Sequence, residues 1–258
     1  MAEQNVVYGD RGVAWVTGAS SGIGRALCLA LVDDGWTVVA SARGEAALAS
    51  LAAERTGRIV PLPLDISNKV AVSAAVAQIE AANGPVSLAV LCAGTYERDD
   101  PKAFDSAKLQ RMMDLNVVGT AHCLEALLPP MLSRRAGRIS VVSSVSGYTG
   151  LPGAAFYGAT KAALINMCEA LYPELERNGV KLSVVAPGFV ETPLTAKNDF
   201  PMPFIVTAEE AARSILSGLK DDRFLISFPW KMALSMRLLS YLPYRLRFAL
   251  TKRMLRKD

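Results

Sequence analysis

The short apolar run from Val13 to Thr17 passes without a break into T-G-A-S-S-G-I-G, and residues Arg25 to Val32 then read as helix. A strand that ends in a glycine turn and resumes as a helix is the opening unit of a parallel, nucleotide-binding sheet. Gly18, Gly22 and Gly24 permit a tight turn and let an anion approach bare backbone. Backbone amides and the positive end of the helix then hold that anion. Ser20, Ser21 and Ile23 lie in the same turn and belong to the same expected cradle. A glycine pattern by itself is a weak signal, because a plain loop uses the same residues. The strand before it and the helix after it give it weight.

Strand and helix keep alternating. Thr37–Ser41, Ile59–Leu62, Leu88–Leu91, Arg138–Ser143 and Lys181–Ala186 read as strands, and Glu45–Arg55, Lys69–Ala82 and Ala107–Leu132 as helices. That order predicts an α/β fold: a Rossmann-type, doubly wound parallel β-sheet flanked by helices on both faces through right-handed crossovers. At 258 residues, with 51% hydrophobic and 20% charged residues, the chain is long and apolar enough to build this as one domain. The expected division is a catalytic domain over residues 1–230 and a cationic, amphipathic helical tail over 231–258.

The second strand ends S-A-R, with no acid before Glu45. An acid at this place binds ribose hydroxyls, whereas a basic residue suits a 2′-phosphate. Arg43 therefore points to NADP(H) favoured over NAD(H), against the alternative of a merely solvated arginine. Asp65 and Ile66 follow the third strand, where Asp65 either accepts from an adenine amino group or caps the next helix. Ala93 and Gly94 let a ligand pass over bare backbone after the fourth strand. Asn116 sits in an otherwise apolar helical run, an unfavourable place unless its side chain or a local backbone break has a task. In the turn after the sixth strand, Pro187, Gly188, Val190 and Thr192 are placed to meet a carboxamide, and residues 195–206 suit a lid.

Tyr157 and Lys161 are four residues apart and share a helical face. An ammonium held about 4 to 6 Å from a phenol favours the phenolate and lowers the phenol's pKa. Ser144, at the end of the strand-like run before them, is placed to hydrogen-bond the oxygen that Tyr157 protonates. A surface Tyr-Lys pair is the competing reading, and the distance from the glycine turn is what weighs against it.

Four cysteines fall in apolar segments without C-x-x-C spacing, which suits reduced, buried thiols. One histidine, His122, has no second ligand nearby, so no metal site is expected. Residues 1–10 lack a basic stretch followed by an apolar one, and no apolar stretch reaches the ~18 residues of a spanning helix. The expected location is cytoplasmic.

Together these residues resemble the short-chain dehydrogenase/reductase family over about residues 12–228: T-G-x-x-x-G-x-G, Asp65, C-A-G at 92–94, Asn116, Ser144, Tyr157-x-x-x-Lys161, and P-G with Thr192. The resemblance implies that Tyr157 is the general acid in reduction and the general base in oxidation. It also implies that Lys161 lowers the Tyr157 pKa and binds the nicotinamide ribose, that Ser144 orients the substrate oxygen, and that Asn116 helps hold a water leading to Lys161. A homodimer or homotetramer is implied as well. Leu91 and Cys92 stand where the family usually has two asparagines, so their polar bracing must come from elsewhere.

The second departure is the tail. Residues 231–258 hold eight Lys or Arg against the single acid Asp258, so the net charge of +4 resides there. Met232, Met236 and Leu239 form one apolar stripe; Leu242, Leu246, Leu250 and Met254 form another after Pro243. Three readings stand: peripheral contact with an anionic membrane, packing on its own domain or a partner subunit as a wall of an apolar site, and, least suited to so many aliphatics, nucleic acid. No nucleic-acid partner is expected.

The functional expectation is an NADP(H)-dependent oxidoreductase interconverting a carbonyl and a secondary alcohol on a small, lipophilic substrate flanked by Tyr148, Leu151 and Phe189. A 3-oxoacyl thioester reductase is the alternative within enzymes, and a non-catalytic NADP(H) sensor the alternative outside them.

Overall fold

The computed structural model describes residues 11–255. The expectations for residues 1–10 and for Arg256, Lys257 and Asp258 lie outside it.

Seven parallel strands form one sheet in the order β3-β2-β1-β4-β5-β6-β7. They are β1 (Val13–Thr17), β2 (Thr37–Ala42), β3 (Ile59–Pro63), β4 (Val86–Leu91), β5 (Gly137–Val142), β6 (Val180–Pro187) and β7 (Leu225–Phe228). β1 and β2 are buried along their whole length, as strands covered on both faces must be. The helices in chain order are α1 (Gly22–Asp33), α2 (Glu45–Ala53), α3 (Lys69–Asn83), α4 (Ser106–Met113), α5 (Gly119–Arg134), α6 (Ala155–Arg177), α7 (Ala208–Lys220), α8 (Trp230–Tyr241) and α9 (Tyr244–Thr251). This is the doubly wound, Rossmann-type single domain that the alternation predicts.

Two cores sandwich the sheet. Leu27 and Leu31 of α1, Leu48 and Leu51 of α2 and Ile215 of α7 cover one face. On the other, Val76 of α3, Leu127 of α5 and Leu164 of α6 pack on Trp15, Ala89 and Ile139. The strand order reverses between β1 and β4, and the carboxyl ends of those two strands open a crevice there. Ser144, Tyr157 and Lys161 gather with the glycine turn at that edge.

One predicted helix is not continuous. In place of a regular helix over 107–132, α4 and α5 are joined by a π-helical turn, Asp114–Val118, that contains Asn116. Asn116 is fully buried there, and its carbonyl accepts from the Thr120 hydroxyl at 2.8 Å. A widened turn aims a polar side chain off the helix instead of along it.

The tail divides in two. Met232, Ala233, Met236 and Leu239 of α8 are buried against Val145, with Tyr148, Leu151 and Phe189 around them. The second predicted stripe does not pack in this way: Leu246, Leu250 and Met254 remain 56%, 41% and 50% exposed. Proline ends the first helix at Leu242, and the short second one leaves its own domain uncovered.

Candidate active site

The crevice contains a cavity of about 380 Å³. Its floor is the glycine turn. Gly18 has φ +70°, and a side chain there would meet the Ala93 backbone at 2.8 Å; one on Gly24 would meet the Gly18 carbonyl at 2.3 Å. Both must be glycine for β1, α1 and the segment after β4 to approach so closely. Ser21 precedes α1 without a side-chain cap. The amides of Gly22 and Ile23 are thus left uncapped beside the cavity, which Ser20, Ser21, Gly22 and Ile23 line, while the Gly24 amide donates to the Cys92 thiol.

Arg43, Asp65 and Ile66 line one end. Arg43 is exposed, and its charge is near enough to Asp65 to help hold that carboxyl low. Hydrogen bonds from the Ser67 amide at 2.9 Å and hydroxyl at 2.7 Å are the larger cause. Asp65 does not cap the next helix, contrary to one sequence reading: Asn68 does, accepting from the Ala71 amide at 3.0 Å. Ala93, Gly94, Pro187, Gly188, Val190 and Thr192 line the other end with Ser144, Tyr157 and Lys161. Each residue expected to bind the cofactor, apart from Asn116, faces this one cavity.

The segment after β4, which lacks the two asparagines, is braced by Thr17. Its hydroxyl oxygen accepts from the backbone amides of Cys92 and Ala93, at 3.1 and 3.2 Å. Nothing in sequence spacing marks a residue at the end of β1 for this task. Ser146 was also missed: its amide and hydroxyl donate to Ser144 Oγ at 3.2 and 2.9 Å. Ser144 Oγ in turn donates to the Pro187 carbonyl at 3.3 Å.

Lys161 is buried. Its Nζ donates to the Val142 carbonyl of β5 at 2.9 Å and stands 5.5 Å from the centre of the Tyr157 ring. Burial lowers its pKa to about 8. Tyr157 moves the other way: burial pushes the phenol well above its ordinary value, against a hydrogen bond with Ser144 that pulls it down. The net direction in this structure is thus opposite to the one the Tyr157–Lys161 spacing predicts. Nζ is tied to a carbonyl beneath the ring, and desolvation of the phenolate outweighs it. Tyr96 packs edge-on against Tyr157 at 5.2 Å and deepens that burial.

Asn116 does not line the cavity. Its Nδ2 donates to the Thr95 carbonyl at 3.0 Å and to Thr160 Oγ1 at 3.1 Å, while Oδ1 accepts from the Thr95 amide at 2.8 Å. In this structure it ties the loop after β4 to the turn of α6 that carries Lys161. Its side chain thus braces these two segments and does not reach the cavity lining.

Tyr148, Leu151 and Phe189 also lie off the cavity, forming with α8 an apolar wall beside it. The expected lid is anchored at its base: Val190 pairs with Val206, and the Glu191 amide donates to the Val206 carbonyl at 2.9 Å. His122 does not line the cavity, but its Nδ1 stands 3.1 Å from the carbonyl of Ile66, which does. Cys28, Cys123 and Cys168 are buried free thiols.

A family model for short chain dehydrogenase matches residues 12–201. The chain belongs to the short-chain dehydrogenase family. An uncharacterized oxidoreductase of Myxococcus xanthus is 36% identical to it over 244 residues, which is 93% of this chain and 96% of that one. A Staphylococcus epidermidis uncharacterized oxidoreductase is 33% identical over 207 residues, 80% and 90% of the two chains. Among solved structures, a short-chain dehydrogenase from Streptomyces avermitilis aligns with a TM-score of 0.82 at 28% identity, over 95% of this chain and 96% of its own. One from Burkholderia cenocepacia in complex with NADP aligns at 0.82 and 27%, over 98% and 100%. As a short-chain dehydrogenase the protein is an oxidoreductase of a family that binds a nicotinamide cofactor, and the open helix end and glycine floor described above fit a dinucleotide. The family match stops at 201, so α7, β7 and the tail of this dehydrogenase lie beyond it. Among its described residues no helix is long and apolar enough to cross a membrane.

Proposed function

We propose that this dehydrogenase uses NADP(H) to interconvert a carbonyl and a secondary alcohol on a lipophilic substrate, with Tyr157 as the proton-transferring group. The observation that carries the reading is the convergence of Ser144, Tyr157 and Lys161 on one wall of the cavity whose floor is the glycine turn. Pro187, Ser146 and Tyr157 all engage Ser144, which fixes its hydroxyl where a substrate oxygen would be received. In reduction Tyr157 gives its proton to that oxygen; in oxidation it takes the proton back. The bound cofactor supplies or accepts the hydride.

The glycine turn and the start of α1 would hold the pyrophosphate, Arg43 the 2′-phosphate, and Asp65 with Ile66 the adenine end. Lys161, under the Tyr157 ring, would hold the nicotinamide ribose. Support for NADP(H) comes from the exposed Arg43 and from the NADP complex of the Burkholderia relative. Support for a lipophilic substrate comes from the apolar wall of Tyr148, Leu151, Phe189 and α8.

Steady-state rates with NADPH and NADH across a panel of carbonyls test the reading, in wild type and in Arg43→Ala. The expected result is preferred use of NADPH, with a KM for it that rises about tenfold to a hundredfold in the variant, the size of a lost charge-assisted hydrogen bond. The KM for NADH should not move. Equal use of both cofactors, or an unchanged KM for NADPH, overturns the cofactor reading.

A further inference from the structure

Helix α8 is apolar on two opposite sides. Met232, Met236 and Leu239 face the domain, as described. Trp230, Leu234, Leu238 and Tyr241 form a second stripe at i, i+4, i+8 and i+11, and they are 68%, 49%, 58% and 74% exposed. One apolar stripe suffices to seat a helix on a core; a second, uncovered one marks a surface that meets something apolar.

The stripe extends at both ends. Lys231 Nζ stands 5.8 Å from the Trp230 ring centre and 5.9 Å from that of Phe204, so the lid over the cavity borders the stripe. Phe204 is itself 49% exposed. Beyond Pro243, Tyr244 and Phe248 of α9 stack 5.5 Å apart and remain 68% and 54% exposed.

Charge identifies the occupant. Residues 224–257 contain no Asp or Glu. Lys231, Arg237, Arg245, Lys252 and Arg253 are all exposed around the stripe. Arg247 is different: its guanidinium donates to the Leu242 and Ser240 carbonyls at the end of α8 and holds the two helices at their bend. Aromatics and aliphatics bordered mainly by cations, with Glu169 of α6 near Arg237 as an acid at the margin, suit an anionic lipid surface. A second copy of the same face would bring like charges together.

We infer that the outer faces of α8 and α9 lie on an anionic phospholipid bilayer. The inner face of α8 is at the same time the apolar wall beside the active site, so a lipophilic substrate would travel one helix width from bilayer to cavity. The inference deepens the proposed function and rests on it for the substrate's class, while the lipid contact itself stands on the surface alone.

The full-length protein is sedimented with vesicles of phosphatidylcholine alone and of phosphatidylcholine mixed with phosphatidylserine. The expected result is binding to the mixed vesicles only, weakened by salt and by about fivefold for each of Lys252→Gln and Arg253→Gln. Brominated acyl chains should quench Trp230 but leave the buried Trp15 bright. The triple variant Trp230→Ala, Leu234→Ser, Leu238→Ser should lose vesicle binding and keep wild-type turnover of a short, water-soluble carbonyl. Wild-type protein left in the supernatant with phosphatidylserine vesicles overturns the inference. So does a triple variant whose solution mass falls to that of a smaller oligomer, which would mean that the stripe joins copies of the chain. Failure of carbonyl reduction in every assay would sink the proposed function and leave the vesicle result standing.

Discussion

Lys161 Nζ lies 5.5 Å from the centre of the Tyr157 ring and donates to the Val142 carbonyl at 2.9 Å. The pair is clamped between α6 and β5, and burial moves the two groups in opposite senses, Lys161 down to about 8 and Tyr157 upward. At neutral pH the folded protein therefore presents a protonated phenol. The two directions of the reaction should then respond differently to pH. Reduction, which uses the phenol as an acid, should be nearly flat from roughly pH 6 to pH 8. Oxidation, which needs the phenolate, should climb by up to about tenfold per pH unit across the same range. Initial rates in both directions check this; oxidation independent of pH would contradict it.

The same lysine should cost the folded state stability. A buried ammonium whose pKa falls from 10.5 to about 8 binds fewer protons than it does in the unfolded chain between those values. Stability rises with pH in that window, so the penalty is fully present below pH 8 and fades as pH approaches 10.5. At 1.36 kcal/mol per pH unit the penalty is about 3 kcal/mol at most. Loss of the bond to Val142 offsets part of its removal. Lys161→Met should accordingly be more stable than wild type at pH 7, by about 1 to 2 kcal/mol, and show no advantage near pH 10.5. Urea denaturation at the two pH values measures the difference.

Thr17 ties the end of β1 to the segment after β4. Thr17→Val keeps the shape of the β1 terminus and removes the oxygen that accepts from the amides of Cys92 and Ala93. Each amide left without a partner costs about 1 to 3 kcal/mol. A melting temperature lowered by several degrees, together with weaker NADPH binding, is the expected outcome. An unchanged melting curve would mean that the two amides find other acceptors.

The sheet was legible because its central strands are buried on both faces and therefore appear as apolar runs, broken by glycine at the turns, whereas the edge strands β3 and β7 are partly exposed. The residues facing the cavity were legible for a related reason: a dinucleotide needs bare backbone at Gly18, Gly24 and Gly94, and few other residue types can stand there. Thr17 and Ser146 were not legible, since a hydroxyl that accepts from a neighbouring segment leaves no periodic trace. Asn116 was half legible. Its misfit in an apolar helix pointed to a broken turn, yet the partners of its side chain come from Thr95 and Thr160, far away in sequence. The direction of the Tyr157 pKa was read from its spacing to Lys161 alone, and burial, which spacing cannot report, decides it. In α8 only the inner stripe was recognised, because a helix apolar on both sides has little amphipathic contrast to detect.

Met236 joins the tail to the apolar wall beside the cavity. Met236→Ala should lower stability by about 2 kcal/mol, the low end for a long side chain truncated in a core, as the residue is 8% exposed at the domain's edge. Its kinetic effect should be selective. KM for a long-chain carbonyl should rise several-fold, while KM for a short one stays constant, as a comparison of the two substrates would reveal. Equal changes for both would remove α8 from the substrate wall.

NADPH oxidation by Tyr157→Phe, beside NADPH binding by the same variant, tests the account most directly. Phenylalanine keeps the ring against Tyr96 and above Lys161 and removes the hydroxyl, with its exchangeable proton and its hydrogen bond to Ser144. The prediction is NADPH binding within about twofold of wild type and carbonyl reduction slower by roughly a hundredfold to ten-thousandfold, the usual worth of a positioned acid. Turnover that survives the substitution on every carbonyl reduced by the wild type would contradict the assignment of Tyr157 and with it the proposed mechanism.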